Sequence, residues 1–423
     1  MNEKIVLAYS GGLDTSVACK WLQETYGYEV HCLTVDLGNL PDLESARDRG
    51  NEAGAAEVEV IDAKENFLNY FVFPALQANA LYQGEYPLAT ALGRPLIAKL
   101  LVDKARAIGA TAVAHGCTGK GNDQVRLDIA ITTLAPDLKV IGTARENEMS
   151  RDAALAYAAK HQISVRQTTE APYSTDENLW GRSVECGELE DPWAEPPADV
   201  WEWTRNIEDT PAKPTTIEIS FEKGIPVAID GDYLDPVTLV KQLSNLGAKH
   251  GLGRIDMVED RVVGIKSREV YEAPAAVILI EAHKQLEQLT LSKAQHRMKS
   301  RVADECADLI YGGHWFSAHH RDLAAYVRSS QQNVTGQVRL QLHHGNLRTL
   351  GKQADSSLYS KELATYGEND LFDQKAAQGF IKLHGLAVQV QAHRQLLIDK
   401  RDPLHLAAPP ISDKDETGDG TSG

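Results

Sequence analysis

The sequence predicts an α/β fold, with a doubly wound parallel sheet at the N-terminus, an α+β domain after it and a C-terminal helix. Three observations point there. Short apolar runs alternate with amphipathic stretches up to about residue 165, a segment rich in proline, tryptophan and acidic residues spans 171–214, and strand and helix patterns then mix without strict alternation. Regular strand–helix alternation buries a parallel sheet between two helical layers, and its loss marks a change of domain.

Taken in order, residues 5–9, 30–35, 58–61, 112–115 and 140–141 have the length and apolarity of buried strands. Between them, residues 15–24, 42–53, 63–81 and 95–108 carry helical spacing. The segment 171–214 contains Pro192, Pro196, Pro197, Pro211 and Pro214 and reads as an irregular crossing. Strands follow at 216–221 and 337–342, with helices at 235–249 and 273–289. Phe380, Leu383, Leu386, Ala387, Val390 and Leu397 give residues 374–397 one apolar helical face. The expected organisation is a parallel-sheet domain at 1–170, an α+β domain at 171–373, a C-terminal helical segment at 374–401 and a disordered tail at 402–423.

Composition narrows the function classes. The chain has 423 residues and a formal net charge of −17, which opposes nucleic-acid binding. No apolar run is long enough to span a bilayer, and residues 5–8 are too short for a secretory signal core, so a cytoplasmic protein without membrane contact is expected. The five cysteines are scattered without a CxxC pair, which argues for reduced, packed thiols.

The strongest local signal is Ser10-Gly11-Gly12-Leu13-Asp14-Thr15-Ser16, between the first strand and the first helix. Glycines free the backbone to turn, and successive N–H groups at a helix N-terminus form a nest for an anion. Ser10, Thr15 and Ser16 add hydroxyl donors. Asp14 would repel a phosphate unless a cation lies between them, so it reads as a residue that helps hold Mg²⁺. The loop is neither a Walker A sequence nor GxGxxG. It resembles the SGGxDS signature of the N-type ATP pyrophosphatases, which bind the departing pyrophosphate there.

A second dense stretch runs from His115 through Gly116, Cys117, Thr118, Gly119, Lys120, Gly121, Asn122, Asp123, Gln124 and Val125 to Arg126, again between a strand and a helix at 123–134. Asn and Asp suit an ammonium or amide, and an arginine clamps a carboxylate. Together the two loops resemble those of the argininosuccinate synthase family. The stretches DENLWGRSVECGELEDP and GRIDMVEDRVVGIKSREVYEAP, and the segment from Tyr86 to Pro95, extend the resemblance from about residue 4 to about residue 397.

The resemblance implies an AMP-forming carbon–nitrogen ligase of arginine biosynthesis and the urea cycle. It would join L-citrulline to L-aspartate with MgATP, through a citrullyl-adenylate, as a homotetramer. It places ATP on Ala8, Tyr9, Ser10, Gly11, Gly12, Leu13, Asp14, Thr15, Ser16, Thr34, Val35 and Gly116. Citrulline falls to Tyr86, Asn122, Arg126, Ser174, Ser183, Glu259 and Tyr271, and aspartate to Thr118, Asn122 and Asp123. Asp14, Asp123 and Arg126 are the expected catalytic residues; the direct metal ligands stay unassigned. Ala91 stands where many relatives carry a citrulline-contacting serine, a loss of about 0.5–1.5 kcal/mol that the hydroxyl of Thr90 is placed to replace. A base-amidating or thiolating ligase of the same superfamily would add a glutaminase domain or a catalytic cysteine pair. A non-catalytic nucleotide sensor would lack Asp123, Arg126 or Glu259, all of which are present.

Elsewhere the plainer readings prevail. His115 reads as a packed histidine, His319 and His320 as a polar helix face, and Trp193, Trp201 and Trp203 as packing residues.

Overall fold

The structure, a computed structural model, describes residues 3–38, 43–147, 149–164, 173–367 and 370–396. The chain divides into two compact units, residues 1–358 and 359–423.

The first unit opens with β1 (Lys4–Ala8), β2 (Glu29–Asp36), β3 (Glu57–Asp62), β4 (Ala112–His115) and β5 (Lys139–Gly142). They pair in parallel in the order β3-β2-β1-β4-β5. β1 is central, and Ile5, Val6 and Leu7 are fully buried. A strand covered on both faces needs apolar residues at every position, which is why it shows no alternation. Ile5 and Leu7 pack with Val17, Ala18 and Leu22 of the helix Leu13–Tyr26 on one side. Val6 packs on the other with Leu101 and Val102 of the helix Ala89–Ile108 and Leu127 and Ile131 of the helix Asn122–Leu134. The strand order reverses beside β1, so a crevice opens beyond the carboxyl ends of β1 and β4, where both glycine-rich loops begin.

Two helices depart from expectation. The helix expected at 63–81 is three pieces, Lys64–Phe67, a π-turn at Leu68–Val72 and Phe73–Ala78. Pro74 offers no N–H to the carbonyl of Tyr70, and the backbone widens in the preceding turn. The helix expected from residue 95 starts at Ala89, with Pro95 inside it, so Thr90 and Ala91 are helical.

The chain continues through β6 (Ser174–Asn178), β7 (Gly181–Glu185), β8 (Thr215–Glu222), β9 (Ile225–Ile229), β10 (Asp232–Tyr233), β11 (Arg254–Asp260), β12 (Lys266–Glu272), β13 (Gly336–His343) and β14 (Asn346–Gln353). They form two antiparallel sheets, β11-β12-β7-β6 and β10-β9-β8-β13-β14. The helices Pro236–Lys249 and Pro274–Thr290 lie close to their expected positions. The described part of 171–214 is not merely irregular, because it contains the β6–β7 hairpin. Its first strand reads Ser-Thr-Asp-Glu-Asn, which carries no apolar signal.

Two aromatic and histidine readings change, those of Trp193 and His320, while Trp201 packs as expected. Trp193 is 96% exposed rather than packed. Trp201 lies 4.8 Å beneath the guanidinium of Arg254. His320 is buried against Trp315 at 4.4 Å, while its neighbour His319 is exposed beside Glu305 at 3.0 Å.

The second unit carries the short helices Lys361–Ala364, Gln374–His384 and Leu386–Gln391 and a π-turn at Ala392–Leu396. The continuous helix expected at 374–397 is thus divided at Gly385. Phe380, Ile381, Leu383, Leu386 and Val388 are each more than half exposed. The tail 402–423, and with it the disorder expected there, lies outside the described residues.

Candidate active site

Alternation in the small antiparallel sheet creates a polar floor. In Ser183-Val184-Glu185 on β7 and Glu269-Val270-Tyr271 on β12, the two valines turn away and pack with Leu189 and Val200. The polar residues therefore face the other way. The register sets Tyr271 beside Ser183, Ser183 beside Asp176 and Glu185 beside Ser174. Above this floor lies a cavity of about 220 Å³, lined also by Tyr86, Thr90, Gly116, Thr118, Asn122, Asp123, Arg126 and Glu259.

Glu259, 1% exposed, is the hub. Its carboxylate accepts from the hydroxyl of Tyr271 at 2.6 Å, from that of Tyr311, and from Asn122 Nδ2 at 3.4 Å. Asn122 also donates to Tyr311 Oη at 2.8 Å and accepts from the N–H of Val262 at 2.9 Å. Gly121 is the N-cap of that helix, which leaves the Asn122 amide to join the second loop to the β11–β12 hairpin. Stacked pairs fix the tyrosines, Tyr86 on Tyr271 at 4.1 Å and Tyr82 on Tyr311 at 3.5 Å.

Asp123 and Arg126 are three residues apart on one helix face and pair directly at 2.9 Å. Arg94 takes the other oxygen of Asp123 at 2.6 Å and also pairs with Asp176. Burial alone would raise the Asp123 carboxyl, but the two guanidiniums outweigh it and hold it at about 2. Arg126 is further fixed by Nε donation to the Tyr311 carbonyl at 2.8 Å and by its seat 4.6 Å from the Tyr311 ring. Burial, with Asp123 behind it, pushes the Cys117 thiol up to about 12, so it is a packed thiol and not a nucleophile.

The first glycine loop is prearranged by its own hydroxyls. Ser10 Oγ lies 3.1 Å from Thr15 Oγ1, Tyr9 Oη lies 2.8 Å from Ser16 Oγ, and Thr34 donates to the Tyr9 carbonyl at 2.8 Å. Ser16 and Thr34 are buried, so their hydroxyls hold the loop; Asp14 is exposed. The two glycines differ. Gly11 has φ +74°, and a Cβ there would come within 2.9 Å of Ala46. Gly12 is extended at φ −82°, with room for a Cβ, so only Gly11 needs the freedom expected of both. A Cβ on Gly116 would sit 3.3 Å from Thr15, which places the two loops side by side. His115 is fully buried; its Nδ1 accepts from the Cys117 N–H at 3.2 Å and its Nε2 pairs with Asp128 at 2.6 Å, as a packed histidine should.

Every residue expected to meet citrulline or aspartate therefore lines one cavity, Thr90 included, whereas Ala91 is buried in the helix core. Of the residues expected to meet ATP, Gly116 lines that cavity, Ala8 to Ser16 run from the carboxyl end of β1 into the helix Leu13–Tyr26, and Thr34 and Val35 lie near the carboxyl end of the neighbouring β2. Sequence reasoning missed Arg94, Asp176, Glu185, Arg261, Glu269 and Tyr311. Arg94 stands four residues after Thr90, and Asp176, Glu185, Arg261 and Glu269 each stand two from residues that were found, so spacing held a signal for these five. Tyr311, at the end of the helix Lys293–Tyr311, carried none.

Among the described residues no group of three His, Cys, Asp or Glu is arranged to hold a metal. No described helix is long and apolar enough to cross a membrane.

The arginosuccinate synthase N-terminal HUP domain family matches residues 4–164, and the arginosuccinate synthase C-terminal domain family matches residues 173–391. The chain is 52% identical over 400 residues to argininosuccinate synthase of Dehalococcoides mccartyi, covering 95% of this chain and 98% of that one. It is 51% identical over 393 residues to argininosuccinate synthase of Thermosynechococcus vestitus (93% and 98% covered) and 50% identical over 391 residues to that of Oceanobacillus iheyensis (92% and 94%).

Proposed function

The chain belongs to the argininosuccinate synthase family, and from that premise we propose how its residues divide the work. It is an ATP-dependent carbon–nitrogen ligase that joins L-citrulline to L-aspartate in arginine biosynthesis. The ureido oxygen attacks the α-phosphorus, the bond to the β-phosphate breaks, and pyrophosphate leaves. The aspartate amine then attacks the ureido carbon, and AMP departs with the former ureido oxygen.

The observation that supports the division best is the single cavity that collects all the citrulline and aspartate candidates beside the glycine loop. In this reading Ala8 to Ser16, Thr34, Val35 and Gly116 take ATP, with backbone N–H groups of the loop and the N-terminus of the helix Leu13–Tyr26 on the departing pyrophosphate. Tyr86, Thr90, Asn122, Arg126, Ser174, Ser183, Glu259 and Tyr271 seat citrulline. Thr118, Asn122 and Asp123 seat aspartate, with Asp123 orienting its amine. A Mg²⁺ ion, when bound, neutralises triphosphate charge. The exposed carboxylate of Asp14 would help hold that cation, and among the described residues no group of three His, Cys, Asp or Glu would cage it.

The products test this chemistry. AMP and pyrophosphate are expected, and citrulline labelled with ¹⁸O at the ureido position should pass its label to AMP. Release of ADP and orthophosphate would contradict adenylation.

We also assign residues 1–170 to the nucleotide-binding domain, 171–373 to the synthetase domain and 374–401 to assembly as a homotetramer. The exposed apolar residues Phe380, Ile381 and Leu383 support an intersubunit role for that segment. Light scattering should give about four chains for the full-length protein and fewer after deletion from Gln374 onward. An unchanged mass would remove this role.

A further inference from the structure

Tyr271 sits between two carboxyl groups. Its hydroxyl oxygen is 2.6 Å from Glu259 Oε2 and 2.8 Å from Glu269 Oε2. A phenol has one proton to donate. Both contacts are hydrogen bonds only if one carboxyl is itself protonated and donates to the phenol oxygen. Glu259 already accepts from Tyr311 and Asn122, so it is the acceptor, and Glu269 is the group left to carry the proton.

The surroundings agree. Glu269 faces Glu259 from β11 and Glu185 from β7, and among the described residues its ion-pair partner is Arg261, at 3.3 Å, which also pairs with Glu185. Burial first, and then the charges of Glu259 and Glu185, push the Glu269 carboxyl up to about 8. This end of the cavity thus holds three carboxyls against one guanidinium, while Arg94 and Arg126 stand with Asp123 and Asp176.

We propose that Glu269 stores a proton on Tyr271 in the free enzyme and gives it up to solvent when the α-ammonium of citrulline enters the acidic end of the cavity, so that Glu269 selects for that ammonium. The proposal rests on the citrulline site assigned above. The balance is simple: one ammonium arrives, one proton leaves, and no covalent bond other than O–H changes. The stored proton lets the empty site avoid three adjacent carboxylate charges, and the ammonium then replaces it.

The test is the proton count of citrulline binding. Calorimetric titration of the full-length enzyme with citrulline, at pH 7 in two buffers of different ionisation enthalpy, should show close to one proton released by the wild type and close to none by Glu269→Gln, whose amide can still donate to Tyr271. Wild-type affinity should fall up to tenfold from pH 8 to pH 7, and Glu269→Gln should bind more weakly with little change over that interval. No proton release by the wild type, or equal release by a folded Glu269→Gln, overturns the proposal. Arg126→Lys separates the two assumptions. If it leaves citrulline affinity unchanged, the cavity is not the citrulline site; if it weakens binding while the Glu269 results fail, the site stands and the stored proton does not.

Discussion

A Gly11→Val variant is expected to lose citrulline-dependent pyrophosphate release while remaining folded. Gly11 holds φ +74°, where a β-branched residue is strained, and a Cβ added there would come within 2.9 Å of Ala46 Cβ. The carbonyl of the same residue accepts from Arg49 Nε at 2.6 Å, so the peptide cannot rotate away without losing that bond. Strain of about 1–3 kcal/mol in such a conformation is small against a whole domain's core but large for a loop that must hold its N–H groups in place. The expected outcome is a fall of at least about 100-fold in turnover, since strain and a misplaced phosphate nest act together. Gly12→Ala should cost much less, because Gly12 is extended and an added Cβ meets only Ser10 Oγ at 3.4 Å. Pyrophosphate release and circular dichroism, measured on both variants, decide the matter. Comparable losses would show that the turn at Gly11 is not the limiting feature, and wild-type turnover by a folded Gly11→Val would remove the loop from ATP binding.

Arg126→Lys and Asp123→Asn are expected to be nearly as damaging, and to differ in which substrate they affect. Arg126 spreads its guanidinium across Asp123, the Tyr311 carbonyl and the Tyr311 ring. A lysine ammonium reproduces neither the planar fork nor the stacking. Citrulline KM should rise by about 10- to 150-fold, the equivalent of one charge-assisted hydrogen bond of about 1.5–3 kcal/mol. Asp123→Asn keeps the shape but removes the charge that holds Arg94 and Arg126 together. It should raise the aspartate requirement, and impair argininosuccinate formation more than pyrophosphate release. Because two buried guanidiniums lose their shared anion, it should also lower thermal stability, which Arg126→Lys should do less. Steady-state kinetics with each amino acid varied in turn, alongside thermal melts, test this division. A rise confined to the ATP requirement in both variants would make the second loop a phosphate site.

Much of this protein was determined by sequence alone. Apolar runs without alternation specify strands buried on both faces, and such strands can only be covered by helices packed on each side, so the parallel sheet followed from β1 to β5. The two glycine-rich loops were legible because nests and helix N-termini are local structures, built from consecutive residues. Tertiary structure decided the rest. Which glycine carries the turn depended on where Ala46 lies, 35 residues from Gly11 by their numbers. That Asp123 and Arg126 neutralise each other, with Arg94 as a third member, depended on a helix 29 residues away in the chain. The β6–β7 hairpin was invisible because its polar residues face a cavity, and a strand reads as a strand only when one face is apolar. Glu269 reaches the cavity, and Tyr311 reaches Glu259 and Asn122 beside it, from distant elements. The pairing of a phenol with two carboxyls is a fact of three-dimensional proximity, on which hydrogen bonds and proton affinities depend and of which the order of residues along the chain holds no record.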